Sequence, residues 1–155
     1  MKYSLNFIVF LFIIICDTVT KQWALHYCVA PREYGPFITC ELVFNRGISW
    51  GIFNNESSSF MHLLIPFISL FIILILGIYM FRRARNGYPV LGELLVFSGA
   101  CGNMIDRCLY SGVVDFIGLH YGPYYWAFFN IADMCIVSGI GIMIIYSMNE
   151  KYAIA

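Results

Sequence analysis

The chain has 155 residues, 61% of them hydrophobic and 12% charged, with a mean hydropathy of +0.78, which excludes a soluble domain, while the length excludes a large transporter. Nine basic residues balance nine acidic ones and the three histidines are scattered, so no basic surface points to nucleic acid or an acidic substrate. What remains is a small polytopic membrane protein, in which the position of each charge carries the information.

Four segments are apolar enough to be read as spans of a hydrocarbon core that needs roughly 20 helical residues. The first, about residues 3–23, opens with "YSLNFIVFLFIIIC" and continues through Asp17 and Lys21 to Trp23, an interfacial anchor, so Asp17 falls just inside the membrane edge. A cleaved secretory leader is the rival reading of this segment. No small-x-small pattern follows, and "IIIC" lacks the small residue usual before a lipid-modified cysteine, so an uncleaved helix is expected. The next stretch, about residues 24–59, contains "PFITCELVFNRGISWGIF", where β-branched and aromatic residues mix with turn-formers. It predicts a small strand-rich platform able to cradle a substrate backbone. Of the cysteines at 16, 28, 40, 101, 108 and 135, Cys28 and Cys40 alone fall in this stretch and could pair. No C-x-x-C pair and no His/Cys spacing for a metal occurs.

The second span, about 60–81, has no charged residue and reads as scaffold; Pro66 is tolerable in a bilayer where neighbours satisfy the freed carbonyl. "RRAR" follows, in a connection at about 82–87. The third span, about 88–109, is less apolar and carries Gly99, Ala100 and Gly102, small residues that let helices approach closely. Glu93 lies near one end of it, and Asn103, Asp106 and Arg107 share one face at the other. The connection at about 110–125 holds Asp115 among apolar neighbours, then "GLHYGPYYWAFF", readable as a mobile lid or an interfacial belt. A fourth span is read over about 126–147, and within its stretch "FFNIADMCIVSGIGIMIIYS" (128–147) Asp133 falls about a turn and a half inside the front edge. An acidic residue there costs roughly 2.5 to 3.5 kcal/mol and by default marks a functional site.

Lys2, the arginines of "RRAR" and Lys151 flank the spans on one side, whereas 110–126 has no basic residue. Both termini are therefore expected in the cytoplasm, with 24–59 and 110–125 outside. On that topology Asp17, Lys21, Asn103, Asp106, Arg107, Asn130 and Asp133 reach one outer depth, and connectivity brings Asp115 close to Asp133. Asp17 and Lys21 read equally as a helix-end ion pair or as substrate-facing groups, and Asn103, Asp106 and Arg107 more readily as packing and hydrogen-bonding groups.

Two carboxylates in a partly desolvated site suit acid–base hydrolysis, because like charges held close share a proton and divide the roles of base and acid. No histidine stands near a nucleophile in a triad motif, and no H-E-x-x-H occurs. Two other classes compete. A proton-coupled transporter or channel subunit would thread polar groups through both leaflets, which the charge-free second span and "VSGIGIMIIYS" do not. A noncatalytic assembly subunit would leave Asp133 without a partner.

The motifs "DTVTK" (17–21), "FNRGISWGIF" (44–53), "SGACGNMIDR" (98–107), "GVVDFI" (112–117) and "FNIAD" (129–133) resemble, in order and spacing, those of lipoprotein signal peptidase, signal peptidase II, over essentially the whole chain. The resemblance implies an all-α polytopic fold of four transmembrane helices with a strand-rich exterior subdomain between the first two. It also implies a bacterial inner-membrane aspartyl protease that needs no cofactor and removes the signal peptide from diacylglyceryl-modified prolipoproteins just before the lipidated cysteine. Asp115 and Asp133 would be its catalytic pair, with Asp17, Lys21, Asn45, Gly47, Asn103, Asp106, Arg107 and Asn130 in support. Expected partners are the prolipoproteins, membrane lipids and globomycin-type peptide inhibitors, and the chain is expected to act as a monomer. Ile48 and Trp50 replace the usual alanine and phenylalanine, and Ser98 the usual first glycine, changes that bear on loop fit and helix packing rather than on the pair.

Overall fold

The computed structural model describes residues 2–47, 59–110 and 112–152. Four helices occur among them: α1 (Lys2–Tyr27), α2 (Ser59–Arg85), α3 (Leu91–Tyr110) and α4 (Ile131–Tyr152). Three stretches, Ser4–Tyr27, Leu64–Arg85 and Ile131–Met148, are long and apolar enough to cross a membrane. Their outward faces are exposed Leu, Ile, Val and Phe, as expected where lipid replaces water. The other helix, α3, packs against all three and buries Glu93, Ser98, Asn103 and Asp106. That burial explains why its sequence is the least apolar of the four.

The helices differ from the predicted spans at their ends. α1 runs on to Tyr27, and α2 absorbs Arg82, Arg83 and Arg85 as its last turn, so the basic connection is shorter than expected. Gly87, at φ +84°, occupies the left-handed conformation after α2, and Pro89 keeps the chain out of the helix until Leu91. Close approach of α3 to α4 depends on glycines, Gly92 and Gly99 of α3 and Gly139 of α4 among them. A Cβ on Gly92 would meet the carbonyl oxygen of Gly139 at 2.8 Å, and one on Gly99 would press into the carbonyl of Ala132.

The largest correction concerns α4. It begins at Ile131, so Asp133 stands in the first turn and not a turn and a half inside. The preceding residues are drawn into a sheet instead. Phe129 N–H donates to the Ile117 carbonyl at 3.0 Å, and its own carbonyl accepts from Phe116 and Ile117.

Among the described residues that sheet has four antiparallel strands in the order β1 (Arg32–Tyr34), β2 (Ile38–Asn45), β3 (Val113–Tyr121) and β4 (Tyr124–Tyr125). A strand-rich platform is thus present, but it draws equally on the connection between α3 and α4, which reads as lid or belt in the sequence. Asp115 accordingly sits on a strand, opposite Val43. The sheet packs on the end of α1 through a small core of Ala24, Cys28, Cys40 and Phe116. A Cys28–Cys40 disulfide fastens β2 to α1 there, with the two Cα atoms 5.5 Å apart. Ile48 and Trp50, and with them residues 48–53 of the loop motif, lie outside the described residues.

Candidate active site

Four elements converge where the sheet meets the helix ends: α1 brings Asp17 and Lys21, α3 brings Asn103, Asp106 and Arg107, β3 brings Asp115, and the start of α4 brings Asn130 and Asp133. β2 adds Asn45. Residues 43, 45, 113 and 115 share one face of the β2–β3 pair, so Asn45 lies diagonally across from Asp115. Gly47 N–H donates to Asn45 Oδ1 at 3.1 Å and fixes the amide, whose Nδ2 donates to Asp115 Oδ2 at 3.1 Å.

Asn130 is the hub. Its backbone N–H donates to Asp133 Oδ2 (3.2 Å) while Asp133 N–H donates to Asn130 Oδ1 (2.9 Å), a reciprocal cap that starts α4 and aims both side chains. Asn130 Nδ2 then reaches Asp115 Oδ1 (2.7 Å), Asn103 Oδ1 (3.1 Å) and the Val114 carbonyl (3.2 Å). Asn103 Nδ2 donates to Asp133 Oδ1 at 2.8 Å. Two asparagines therefore hold the two aspartates from both sides. The spacing Asn-x-x-Asp carries the cap signature in the sequence.

Lys21 organises the layer beneath. It is buried at 2% exposure, and its Nζ contacts Asp17 Oδ2 (2.7 Å), Asp106 Oδ2 (2.8 Å) and Asn103 Oδ1 (3.0 Å). Both carboxylates have a second task. Asp17 Oδ1 accepts from Ala132 N–H in the first turn of α4 (2.9 Å), and Asp106 Oδ2 accepts from Val114 N–H on β3 (3.1 Å). Only glycine at 102 leaves room for Asp17, since a Cβ would approach its Oδ2 to 2.6 Å. The Asp17–Lys21 ion pair, one of two alternatives in the sequence, is thus part of a buried network tying α1, α3, α4 and β3 together, an arrangement that depends on its polar groups being paired.

Among these side chains stand four carboxyls, Asp17, Asp106, Asp115 and Asp133, against the cations of Lys21 and Arg107. Arg107 Nη1 lies 3.4 Å from the Asn103 carbonyl and within electrostatic reach of Asp133, Asp115 and Asp106. With acids in excess, ionising all of them is costly. Asp115 answers to that. It is 2% exposed, and loss of hydration, then the neighbouring charge of Asp133, push its pKa up to about 7. Asp133 is only partly buried, so the pair is open on its side. The arrangement can hold one proton between two carboxyls at neutral pH and present them to a bond arriving from that side.

All ten residues singled out in the sequence lie in or directly beside this network. Less legible were the backbone groups of Val114 and Ala132, which it uses as acceptor and donors, because nothing local to those positions marks them.

Residues 9–149 match the family model described as signal peptidase (SPase) II. The chain is 36% identical over 138 residues to the lipoprotein signal peptidase of Methylorubrum extorquens, covering 86% of this chain and 79% of that one. It is 34% identical over 146 residues to that of Clostridium acetobutylicum, covering 89% and 92%. Its fold is similar to a bacterial membrane enzyme solved by the in meso method at 2.3 Å resolution, with a TM-score of 0.78 and 27% identity over 96% of this chain and 90% of that chain. A match over nearly the full length, by sequence and by fold, makes this chain a member of the signal peptidase II family, a family of membrane peptidases.

Proposed function

We propose that this chain removes the signal peptide of diacylglyceryl-modified prolipoproteins, cutting just before the lipidated cysteine with a water activated between Asp115 and Asp133. The observation that carries the reading is the doubly held pair of carboxyls at the mouth of a buried polar network. Asp115 holds the shared proton near neutrality and hydrogen-bonds the scissile carbonyl. Asp133 is the charged partner and takes a proton from the water, whose oxygen bonds the carbonyl carbon. The resulting tetrahedral adduct collapses as the C–N bond breaks, and the proton held by Asp133 passes to the leaving amine. Asp17, Lys21, Asn45, Gly47, Asn103, Asp106, Arg107 and Asn130 keep the pair in register and take no part in bond making.

In this reading the chain is a four-span protein of the bacterial inner membrane with both termini in the cytoplasm, and α3 is the span shielded by the other three. The lysine and arginine asymmetry supports that orientation. So does the Cys28–Cys40 disulfide, which belongs to an oxidising compartment and lies on the sheet's side. The aspartates then stand at the outer leaflet, where a signal-peptide helix and the acyl chains of its substrate already reside. Globomycin-type peptides fit the same pair by offering it a hydroxyl or amide. Incubating the purified protein with a diacylglyceryl-modified prolipoprotein tests the proposal: release of the signal peptide is expected, and its absence with a folded, reconstituted protein would overturn it.

A further inference from the structure

At the opposite end of the bundle from the aspartates, α2 and α3 leave a groove of about 490 Å³, walled by Ile73, Gly77 and Phe81 of α2 and Phe97 of α3, with Arg82 and Arg85 at its end. Its size falls within the roughly 300–1,000 Å³ of sites that hold small molecules. Gly77 sets its depth, since a Cβ there would come within 3.1 Å of the Phe97 ring. The flanking side chains Leu74, Ile78 and Phe81 are each 57% exposed, on a helix apolar enough to cross a membrane. The groove therefore opens sideways to lipid rather than to water.

The three arginines of this turn divide their tasks. Arg83 faces α3, with Nε 2.8 Å from Glu93 Oε1 and its guanidinium over the Tyr88 ring at 4.9 Å. Arg82 and Arg85 line the groove. They outweigh the partial negative pole of the α2 C-terminus, about half a charge. An occupant that satisfies this surface has a long apolar body and one anionic head. A soluble anion would leave the apolar walls unused, and a neutral acyl lipid would leave the guanidinium pair unused.

We propose that this groove is a binding site for an anionic glycerophospholipid, with an acyl chain between α2 and α3 and the phosphate at Arg82 and Arg85. Basic pockets between membrane helices are a recurrent setting for such headgroups. The site shares no residue with the aspartate network, so the inference stands apart from the proposed peptidase mechanism.

Native mass spectrometry of the full chain in detergent tests it, with phosphatidylglycerol, phosphatidylcholine of the same acyl chains and inorganic phosphate as probes. Phosphatidylglycerol should bind about tenfold or more tightly than phosphatidylcholine, and inorganic phosphate should neither bind nor compete at matching concentration. The Arg82→Ala/Arg85→Ala variant alters exposed groups and keeps the fold; it should bind the two lipids equally. Gly77→Leu should weaken phosphatidylglycerol by about tenfold with the helical circular dichroism unchanged, and Gly77→Ala serves in its place should the larger residue disturb the fold. Equal binding of the two lipids by the unaltered chain, an undiminished preference in the double arginine variant, or full competition by inorganic phosphate would each overturn the proposal.

Discussion

Asp115 and Asp133 differ in setting more than in kind. Asp115 is enclosed on a strand with its pKa pushed up to about 7, whereas Asp133 caps a helix and is partly open. A raised carboxyl pKa has a defined sign for stability. The folded state holds a proton that the unfolded chain releases near pH 4, so the contribution of Asp115 is complete below that value and is lost as pH rises to about 7 and beyond. Thermal unfolding in detergent should therefore show stability falling from pH 4 to 7, with a flatter dependence in Asp115→Asn; an identical dependence in the variant would remove Asp115 as its source. The same proton governs rate. Processing needs one carboxyl neutral and one charged, so rate against pH should be bell-shaped and its upper limb should fall near or above pH 7. Chelators and thiol-directed reagents should leave that profile intact, because the proposed route uses neither a metal nor a cysteine. Much of this was legible: connectivity alone brings Asp115 to Asp133. The grip of Asn45 was not, since it depends on the register that sets Val43 opposite Asp115, and register is a property of two distant strands.

Among the elements, α3 shows most clearly how the sequence disguised its role. Its polar residues dilute the span signal because they face a lysine from α1, an aspartate from α4 and a strand from the next connection. Replacing Lys21 with Met should cost roughly 3–5 kcal/mol, the usual consequence of leaving buried carboxylates unpaired. Adding Asp17→Asn and Asp106→Asn should restore much of the loss, and chemical unfolding of the single and triple variants would read it. Absence of any rescue would mean that Lys21 acts by volume rather than charge. The Cys28–Cys40 tie stabilises another junction, between α1 and the sheet; with 12 residues separating the cysteines, its loss should cost about 3 kcal/mol. The Cys28→Ser/Cys40→Ser variant and the reduced native chain should unfold alike. The start of α4 was misplaced by five residues because the aromatic stretch from Trp126 continues the apolar run while its backbone pairs with β3. Hydropathy cannot separate those two fates, although the cap spacing at Asn130 does.

For the whole molecule, orientation decides whether the site can meet its substrate. Reporters fused after Ala155 and at Arg85 should score cytoplasmic and one at Glu56 exterior; an exterior score at Arg85 would invert α2 and α3 and separate the aspartates from the outer leaflet. The bundle was legible in composition, and the site in five short motifs, because lipid-facing surfaces and buried polar groups both leave strong residue preferences. The shared sheet was only half legible, since β3 carries the same β-branched residues that line an interfacial belt. Everything converges on the two carboxyls. The most direct measurement is the rate at which purified Asp115→Asn and Asp133→Asn each release the signal peptide from a diacylglyceryl-modified prolipoprotein, beside the unaltered chain. Each substitution should lower the rate by roughly 10²- to 10⁴-fold while the protein still inserts and keeps its helical content. Cleavage at a comparable rate by either folded variant would contradict the paired-aspartate account.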